Sequence, residues 1–574
     1  MSRKTRKPAS GVAVESREVG PAIFRKPAWL FAAALAAAVI VFGPALRGAF
    51  VFDDIHLPFA NPGAAGMPAA FWIGGVRPVL MLTYWINFLV SGTSPFLYHV
   101  VNLILHAATA LLVFKVFERL LSISDTVPNP GPNALAGAAI FLLHPLQTES
   151  VDYIAGRAEI LSGLFFCAAW LVFLKYFDRP TSVVVSLTIL LLAGTAVLAK
   201  ESAICLPAIL IVTDIFWSGQ PIDLQLRRRM NLYLPFLCGA LLASAAILRS
   251  LSGGTGAGFS AGIAPSQYAL TECRVILTYI RLFFFPVGQN GDWHLPVFHS
   301  FTDSFAWLYV LALAGLMILI VFLRSRVRLA SYGLLIFLLM LAPTSSVVPV
   351  VDVLAERRMY MPIAGLILAA IGILVRLRLS PATLRAVAIA SVLIAALLSW
   401  NRSAVWASPE VFWGDSAQKN PLNPRAHFGL GTSLLARHDC VAAVKELAIA
   451  RSQDPSKTDI QWNLGQAYQC NGQLELALIQ YRAVADTRPS ADAWNQIAYT
   501  EARLGHSDEV FAALADAMRL DPDNAVSWAY RGLARMTTSN SKDAQADFER
   551  ALQLDPQNQV ALDGLRRLNG LRGR

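Results

Sequence analysis

Residues 28–56 read AWLFAAALAAAVIVFGPALRGAFVFDDIH, an apolar run over 28–46 followed by the adjacent carboxylates Asp53 and Asp54. The run is close to the roughly 20 helical residues needed to cross about 30 Å of hydrocarbon. A carboxylate pair at the outer end of such a run is costly to keep for packing alone. Ionisable groups at membrane depth are functional candidates by default.

The chain of 574 residues repeats the apolar half of that pattern. It is 55% hydrophobic and only 15% charged, with a mean hydropathy of +0.50, far from a soluble globular average. Further runs lie near 99–118, 134–144, 157–177, 181–199, 203–218, 231–249, 304–323, 330–343, 359–375 and 384–400. The net charge of +10 is concentrated in short connecting loops and in the N-terminal arm. It therefore reads as topology and not as a nucleic-acid surface. Arg3, Lys4, Arg6, Lys7, Arg25 and Lys26 place the N-terminus in the cytoplasm. Arg227 to Arg229, Arg324, Arg326 and Arg328, and Arg376, Arg378 and Arg385 fall on the same side if about eleven helices cross. The first run lacks a small-residue cleavage site and reads as a retained span. Segment 268–286 would put Arg324, Arg326 and Arg328 outside if it crossed, so it reads as juxtamembrane or re-entrant.

Beyond Asn401 the long apolar runs stop. Prolines closing polar turns stand at Pro421, Pro455, Pro489, Pro522 and Pro556, at spacings of 34, 34, 33 and 34. That period with helical patterning is the tetratricopeptide signature. One unit carries Leu464, Gly465, Tyr468, Gly472, Ala477, Tyr481 and Pro489; another carries Trp528, Gly532, Ala544, Phe548, Ala551 and Pro556. The small residues let paired helices approach, and the aromatics fill the step to the next unit. The expected fold is all-α, a polytopic helical bundle followed by an α-solenoid. Its expected parts are a basic arm over 1–27, a membrane body over 28–400, a linker over 401–421, and repeats with a capping helix over 422–574. An odd number of spans puts the repeats outside.

Cys167, Cys205, Cys238 and Cys273 lie in or near apolar runs and read as packing residues. Cys440 and Cys470 stand at helix ends of adjacent repeats that are able to meet, and a disulfide suits them in an oxidising compartment. No metal-ligand spacing of Cys or His is present.

The loops assigned to the outer face hold an unusual share of the charged and polar residues that are not topology signals. They carry Asp53, Asp54, Arg77, His144, Glu149, Arg157, Glu159, Lys200, Glu201, Asp292, Trp293, Glu356, Arg357, Arg358 and Tyr360. Gathered at run ends on one face, these residues are expected to line one site, with carboxylates for proton transfer and Arg or Lys for an anion such as phosphate. Such a site suits transfer from a lipid-phosphate donor that stays in the bilayer while its head group enters a polar cavity. Cations there stabilise the leaving phosphate, and an aspartate takes the proton of an attacking hydroxyl.

Several short motifs stand in order along the chain: Phe50 to Asp54, Arg77-Pro78, Tyr98 to His106, His144-Pro145 with Glu149, Gly156 to Glu159, Lys200-Glu201, and Glu356-Arg357 with Tyr360 and Pro362. Together with the repeats they resemble the transmembrane and tetratricopeptide repeat-containing O-mannosyltransferases, within the GT-C glycosyltransferase class. The resemblance covers nearly the whole chain. It implies a polytopic enzyme that passes a sugar, mannose or similar, from a polyprenyl-phosphate donor to Ser or Thr hydroxyls of extracytoplasmic proteins, with inversion and commonly without a bound metal. The compact form with few repeats resembles a bacterial one, which implies an inner membrane. No cofactor other than the lipid-linked donor is implied.

The same resemblance gives the first-loop pair the role of general base, with Asp53 preferred over Asp54 because only one of two neighbours can be aimed at the site. Arg157 with Glu159, Lys200, Glu356 with Arg357, Arg358 and Tyr360 are then expected on the donor phosphate or sugar. Arg77, His144, Glu149, Glu201, Asp292 and Trp293 are expected to line the site or meet the acceptor. His99 and His106 read as packing histidines. The repeats would hold an acceptor protein or a partner enzyme. Two other readings stay open: a non-catalytic scaffold recruited through the repeats, and a glycan ligase or polymerase acting on lipid or polysaccharide.

Overall fold

The computed structural model of the chain describes residues 27–125, 127, 130–239, 262–538 and 541–572. The basic arm before Pro27, the part of the expected 231–249 span beyond Gly239, and Gly573 and Arg574 lie outside these residues. Among the described residues every regular element is helical.

Four helices are long and apolar enough to cross a membrane: Pro95–Ser124, Ile154–Lys175, Asp303–Arg326 and Pro381–Ala407. Six shorter apolar helices accompany them: Pro27–Val41, Pro78–Ser91, Pro130–Leu143, Val183–Ala199, Arg328–Leu341 and Ile363–Arg376. The expected crossing number of about eleven includes such short helices and goes beyond these four. Pro78–Ser91 was not among the expected runs; its polar Thr83, Asn87 and Ser91 break the apolar pattern. Segment 268–286 forms the helix Pro265–Phe284, which is not one of the four and buries Tyr268, Val275, Tyr279 and Leu282 along one side, as an amphipathic helix does.

Helix Pro95–Ser124 is the hub of the bundle. It packs on Arg157–Lys175, Pro130–Leu143 and Pro27–Val41. Helices Arg328–Leu341 and Ile363–Arg376 cross at backbone contact, because a Cβ on Gly333 would stand 2.5 Å from the Gly365 carbonyl oxygen, and the reverse holds as well. Small residues at such a crossing let dispersion and packing hold helices together where no hydrophobic drive is left.

After the bundle's last helix the chain does not run out into an extended linker. It turns through Ala404–Ala407 into helix Pro409–Lys419, capped by the Ser408 hydroxyl, which packs on the first repeat helix. Four helix pairs follow: Pro424–Ala436 with Cys440–Gln453, Thr458–Cys470 with Leu474–Thr487, Ala491–Leu504 with Ser507–Leu520, and Ala525–Thr537 with Ser541–Leu554. Gln559–Arg572 closes the stack. Cys440 and Cys470 are joined as a disulfide, with a Cα–Cα distance of 5.6 Å. The solenoid is fastened to the bundle by polar contacts. Arg425 pairs with Asp292 and, at 2.9 Å, with Asp352. Lys419 donates to the Gln289 carbonyl at 2.7 Å, and Asn420 to the His294 carbonyl at 2.9 Å.

The repeat packing leaves no room at Gly465, where a Cβ would stand 2.7 Å from the Tyr481 ring. Gly465→Val is expected to cost roughly 1–3 kcal/mol by overpacking. Limited proteolysis of the full chain should then cut within 458–487 faster than in wild type, and an unchanged cleavage pattern would refute the packing account.

Candidate functional site

The first loop divides its two aspartates by backbone geometry. Val51 is extended, Phe52 takes a left-handed φ of 56°, and the short 3₁₀ turn Phe52–His56 follows. Such a backbone costs a bulky residue of order 1–3 kcal/mol and persists where its surroundings over-determine it. The surroundings here are the Tyr153, Phe412 and Trp413 rings, at centroid distances of 5.9, 6.2 and 5.7 Å from Phe52, and the Arg425 guanidinium 4.9 Å over its face.

Asp54 points inward. It is buried and accepts the amide N–H of Ala155 at 2.8 Å and that of Val51 at 3.4 Å. Burial pushes its carboxyl up from 3.8 to about 8, against the lowering effect of those backbone hydrogen bonds. Asp53 points outward and is exposed. It opens on a cavity of about 610 Å³ between the first loop and the start of the solenoid, whose walls include Phe50, Phe52, Trp413, Arg425, Phe428 and Lys457. A second cavity of about 350 Å³, lined by Asp292, Trp293 and Asp352, shares Arg425, Phe428 and Lys457 with the first.

Arg157 is not placed on a donor phosphate. It is fully buried and its guanidinium donates to Asn102 Oδ1 at 2.7 Å, Asn87 Oδ1 at 3.0 Å and the Tyr98 carbonyl at 2.9 Å, under the Tyr84 ring. Its donors are spent on bracing three helices. Nor does it pair with Glu159: two residues apart on a helix, they point in different directions. Glu159 pairs with Lys200. Burial pulls Lys200 below the ordinary lysine range, and Glu159 partly restores it.

Arg357 has a different environment. It pairs with Glu149, whose second oxygen accepts the Arg357 backbone N–H at 3.0 Å. Its side chain stays one-fifth exposed, 3.8 Å from Asp352 and 5.9 Å from the Tyr153 ring centre. Burial opposes its charge, but Glu149 and its neighbours outweigh that and hold the pKa above the ordinary value. Arg77 and Glu201 form a half-exposed pair at 2.9 Å.

The remaining expected residues are used within the fold. Glu356 is not beside Arg357's guanidinium as its orienting partner. Buried, it accepts from Gln289 Nε2 at 2.6 Å, Asn290 N–H at 2.7 Å and the Trp293 indole N–H at 3.0 Å. Arg358 donates to the carbonyls of Val353, at 2.8 Å, and Asp352. The Tyr360 hydroxyl is buried against His106 Nδ1 at 2.9 Å. His144 lies buried on Phe283 and bonds its carbonyl at 3.0 Å. Asp292 is spent on Arg425 and on Asn423, whose Nδ2 donates at 3.0 Å. Sequence reading missed Tyr153, Asp352 and Arg425, and took Phe52 only as part of the first-loop motif. Tyr153 and Asp352 sit beside quoted motifs, but Arg425 belongs to the repeats, where no period marks a residue that reaches back to the bundle.

No family model matches the chain. It is 27% identical over 482 residues to the human protein O-mannosyl-transferase TMTC1, covering 71% of this chain and 53% of that protein. It is 25% identical over 543 residues to the mouse protein O-mannosyl-transferase TMTC3, covering 84% and 57%. With the Caenorhabditis elegans protein O-mannosyl-transferase F38B6.6 the figures are 25% over 423 residues, 69% and 58%. The chain thus spans about half the length of the curated relatives it matches. The resemblance read from its motifs is matched by relatives that carry that name. Among solved structures, the tetratricopeptide protein YrrB aligns at 18% identity with a TM-score of 0.25, over 30% of this chain and 87% of that one.

Two outcomes follow from the caged residues. Arg157→Ala orphans several buried acceptors and is expected to cost roughly 3–5 kcal/mol, seen as loss of monodisperse protein in detergent size-exclusion chromatography. For Asp54, the folded protein keeps a proton that the unfolded chain loses above about 4. Its stabilising contribution is full below that point and fades as pH rises through about 8. The melting temperature of wild type should therefore fall more steeply between about pH 4 and 8 than that of Asp54→Asn, and parallel slopes would refute the assignment.

Proposed function

We propose that the chain is a membrane glycosyltransferase of the GT-C type. It takes a sugar, mannose or a close analogue, from a polyprenyl-phosphate donor and passes it to Ser or Thr hydroxyls of proteins outside the cytoplasm. The observation that carries this reading is the division of the aspartate pair: one carboxyl is consumed by the fold, while the other is presented to a cavity walled by both the bundle and the solenoid. That volume lies within the range of about 300–1,000 Å³ typical of ligand sites. The names of the relatives support the reaction class.

In this mechanism Asp53 accepts the proton of the acceptor hydroxyl as its oxygen attacks the sugar's anomeric carbon. The bond from that carbon to the phosphate oxygen breaks, its electron pair stays on the phosphate, and the configuration inverts. Arg357, kept charged and oriented by Glu149, and Lys200, paired with Glu159, are the cations for the leaving phosphate. Electrostatic stabilisation of this kind is commonly the largest single contribution to such a step. The first repeats form the cavity's far wall and thereby hold the acceptor chain against the base.

Asp53→Asn keeps size and shape while removing the base, so it is expected to insert and fold normally yet lose 10²-fold or more of its transfer, at about the scale of general-base catalysis. Mass spectrometry of the extracytoplasmic glycoproteome, with the gene deleted and complemented by wild type or Asp53→Asn, reads the outcome. Full glycan occupancy in the Asp53→Asn strain would overturn the assignment.

A further inference from the structure

Tyr153 touches both halves of this site and has no role in the reading so far. Its side chain is buried, and its hydroxyl has no hydrogen-bond partner of ordinary geometry. An unpartnered buried hydroxyl is uncommon and calls for an explanation. The position is not loosely held. The ring is stacked on Trp406 at 5.7 Å and 26°, meets Phe52 edge-on at 5.9 Å, and carries the Arg357 guanidinium 5.9 Å from its centre. The main chain on either side is pinned as well: Asn102 Nδ2 donates to the carbonyls of Val151 at 3.2 Å and Tyr153 at 3.4 Å, and the Tyr84 hydroxyl donates to that of Ile154 at 2.9 Å. The fold thus fixes the phenol beside the Phe52 ring, one residue from Asp53, and leaves its O–H unspent while the Asp53 charge acts on it.

We propose that Tyr153 is a positioning residue: on acceptor binding its hydroxyl donates a hydrogen bond to one oxygen of Asp53 and turns the other oxygen toward the acceptor hydroxyl. This inference rests on the reading of Asp53 as base. The phenol keeps its proton throughout. Burial, together with the charges of Asp54 and Asp53, pushes Tyr153 well above the ordinary tyrosine range, so it remains a donor at any working pH. A donor on a carboxylate binds its charged form, so the same bond fixes which Asp53 oxygen is held and which is free to accept. The Trp406 and Phe52 contacts hold the ring, and Arg357 on the ring ties the base's orientation to the cation proposed for the leaving phosphate.

The test uses full-length protein in membranes from expressing cells, with polyprenyl-phosphate mannose carrying tritiated sugar, and counts label incorporated into endogenous protein across a pH series. Tyr153→Phe removes only the hydroxyl and keeps the packing. Transfer is expected to fall about tenfold, with the acidic limb of the pH profile moved to higher pH, because the carboxylate has lost a donor. Difluorotyrosine at position 153 keeps the ring and makes the hydroxyl a stronger donor, so it should move that limb to lower pH. An unmoved limb in both variants overturns the proposal, whether transfer is unchanged or is reduced equally at every pH. A bystander hydroxyl would instead leave transfer intact and raise the melting temperature on removal. Asp53→Asn is run alongside. If it retains transfer, the base reading fails whatever Tyr153→Phe does; if it is inactive while Tyr153→Phe matches wild type, only the positioning role falls.

Discussion

The hydrogen bond from the Ala155 amide to the buried Asp54 carboxyl, at 2.8 Å, is the constraint on which the site depends. It ties the first loop to the segment between Thr148–Asp152 and helix Arg157–Lys175. With Asp54 fixed inward, Phe52 is held in a left-handed conformation, and Asp53, between them, is left facing out. The Phe52 ring then completes an aromatic stack with Tyr153, Trp406, Phe412 and Trp413 that runs from the bundle into the solenoid. One buried carboxyl therefore sets both the direction of its neighbour and the seat of the repeat domain. Asp54's raised pKa fits that structural task, since two adjacent charged carboxylates would repel and a neutral one does not.

Charge in the body is arranged by the same logic of desolvation. Arg157 donates only to neutral oxygens, those of Asn87, Asn102, Tyr98 and, at 3.4 Å, Thr83, so its charge is solvated by the fold but not cancelled by a carboxylate. Arg357 and Lys200 are each matched by one glutamate and keep some exposure. A cation whose donors are all satisfied inside cannot reorganise around an incoming anion without breaking the core, and breaking a buried network is expensive. A partly exposed cation held by one hydrogen-bonded carboxylate, with Asp352 farther off at 3.8 Å in the case of Arg357, still has donors to offer. That difference, and not distance along the chain, separates the bracing arginine from the candidate phosphate-binding ones.

The overall layout was legible in the sequence because it is written in periods. Prolines every 34 residues or so mark the helix pairs, and the apolar runs mark most of the bundle. What sequence could not supply was the partner of each charge. Arg157 and Glu159 look like a pair on paper, but their contacts are Asn87, Asn102 and Lys200, brought together from other helices. Glu356 and Arg357 are neighbours in sequence, yet one faces Gln289 and Trp293 and the other Glu149. Adjacent residues in a short helical turn diverge, so adjacency is a poor guide to pairing. The division within Asp53 and Asp54 was legible for the same reason, because divergence was the premise there.

On the proposed reading, the seam between body and solenoid bears on how an acceptor reaches the site. Arg425 lies over Phe52, pairs with Asp292 and Asp352, and lines both cavities. Asp352 in turn lies 3.8 Å from Arg357. A chain threaded along the first repeats would thus pass residues coupled through Arg425 and Asp352 to the cation beside Tyr153. Asp292 is buried while Arg425 is half-exposed, so the pair resists separation from the bundle side and meets solvent from the groove side. On the proposed reading, the solenoid is part of the active-site wall, because removing its first helices would leave Asp53 facing open water. A base in open water would lose the exclusion of solvent that makes fixed charges effective in catalysis.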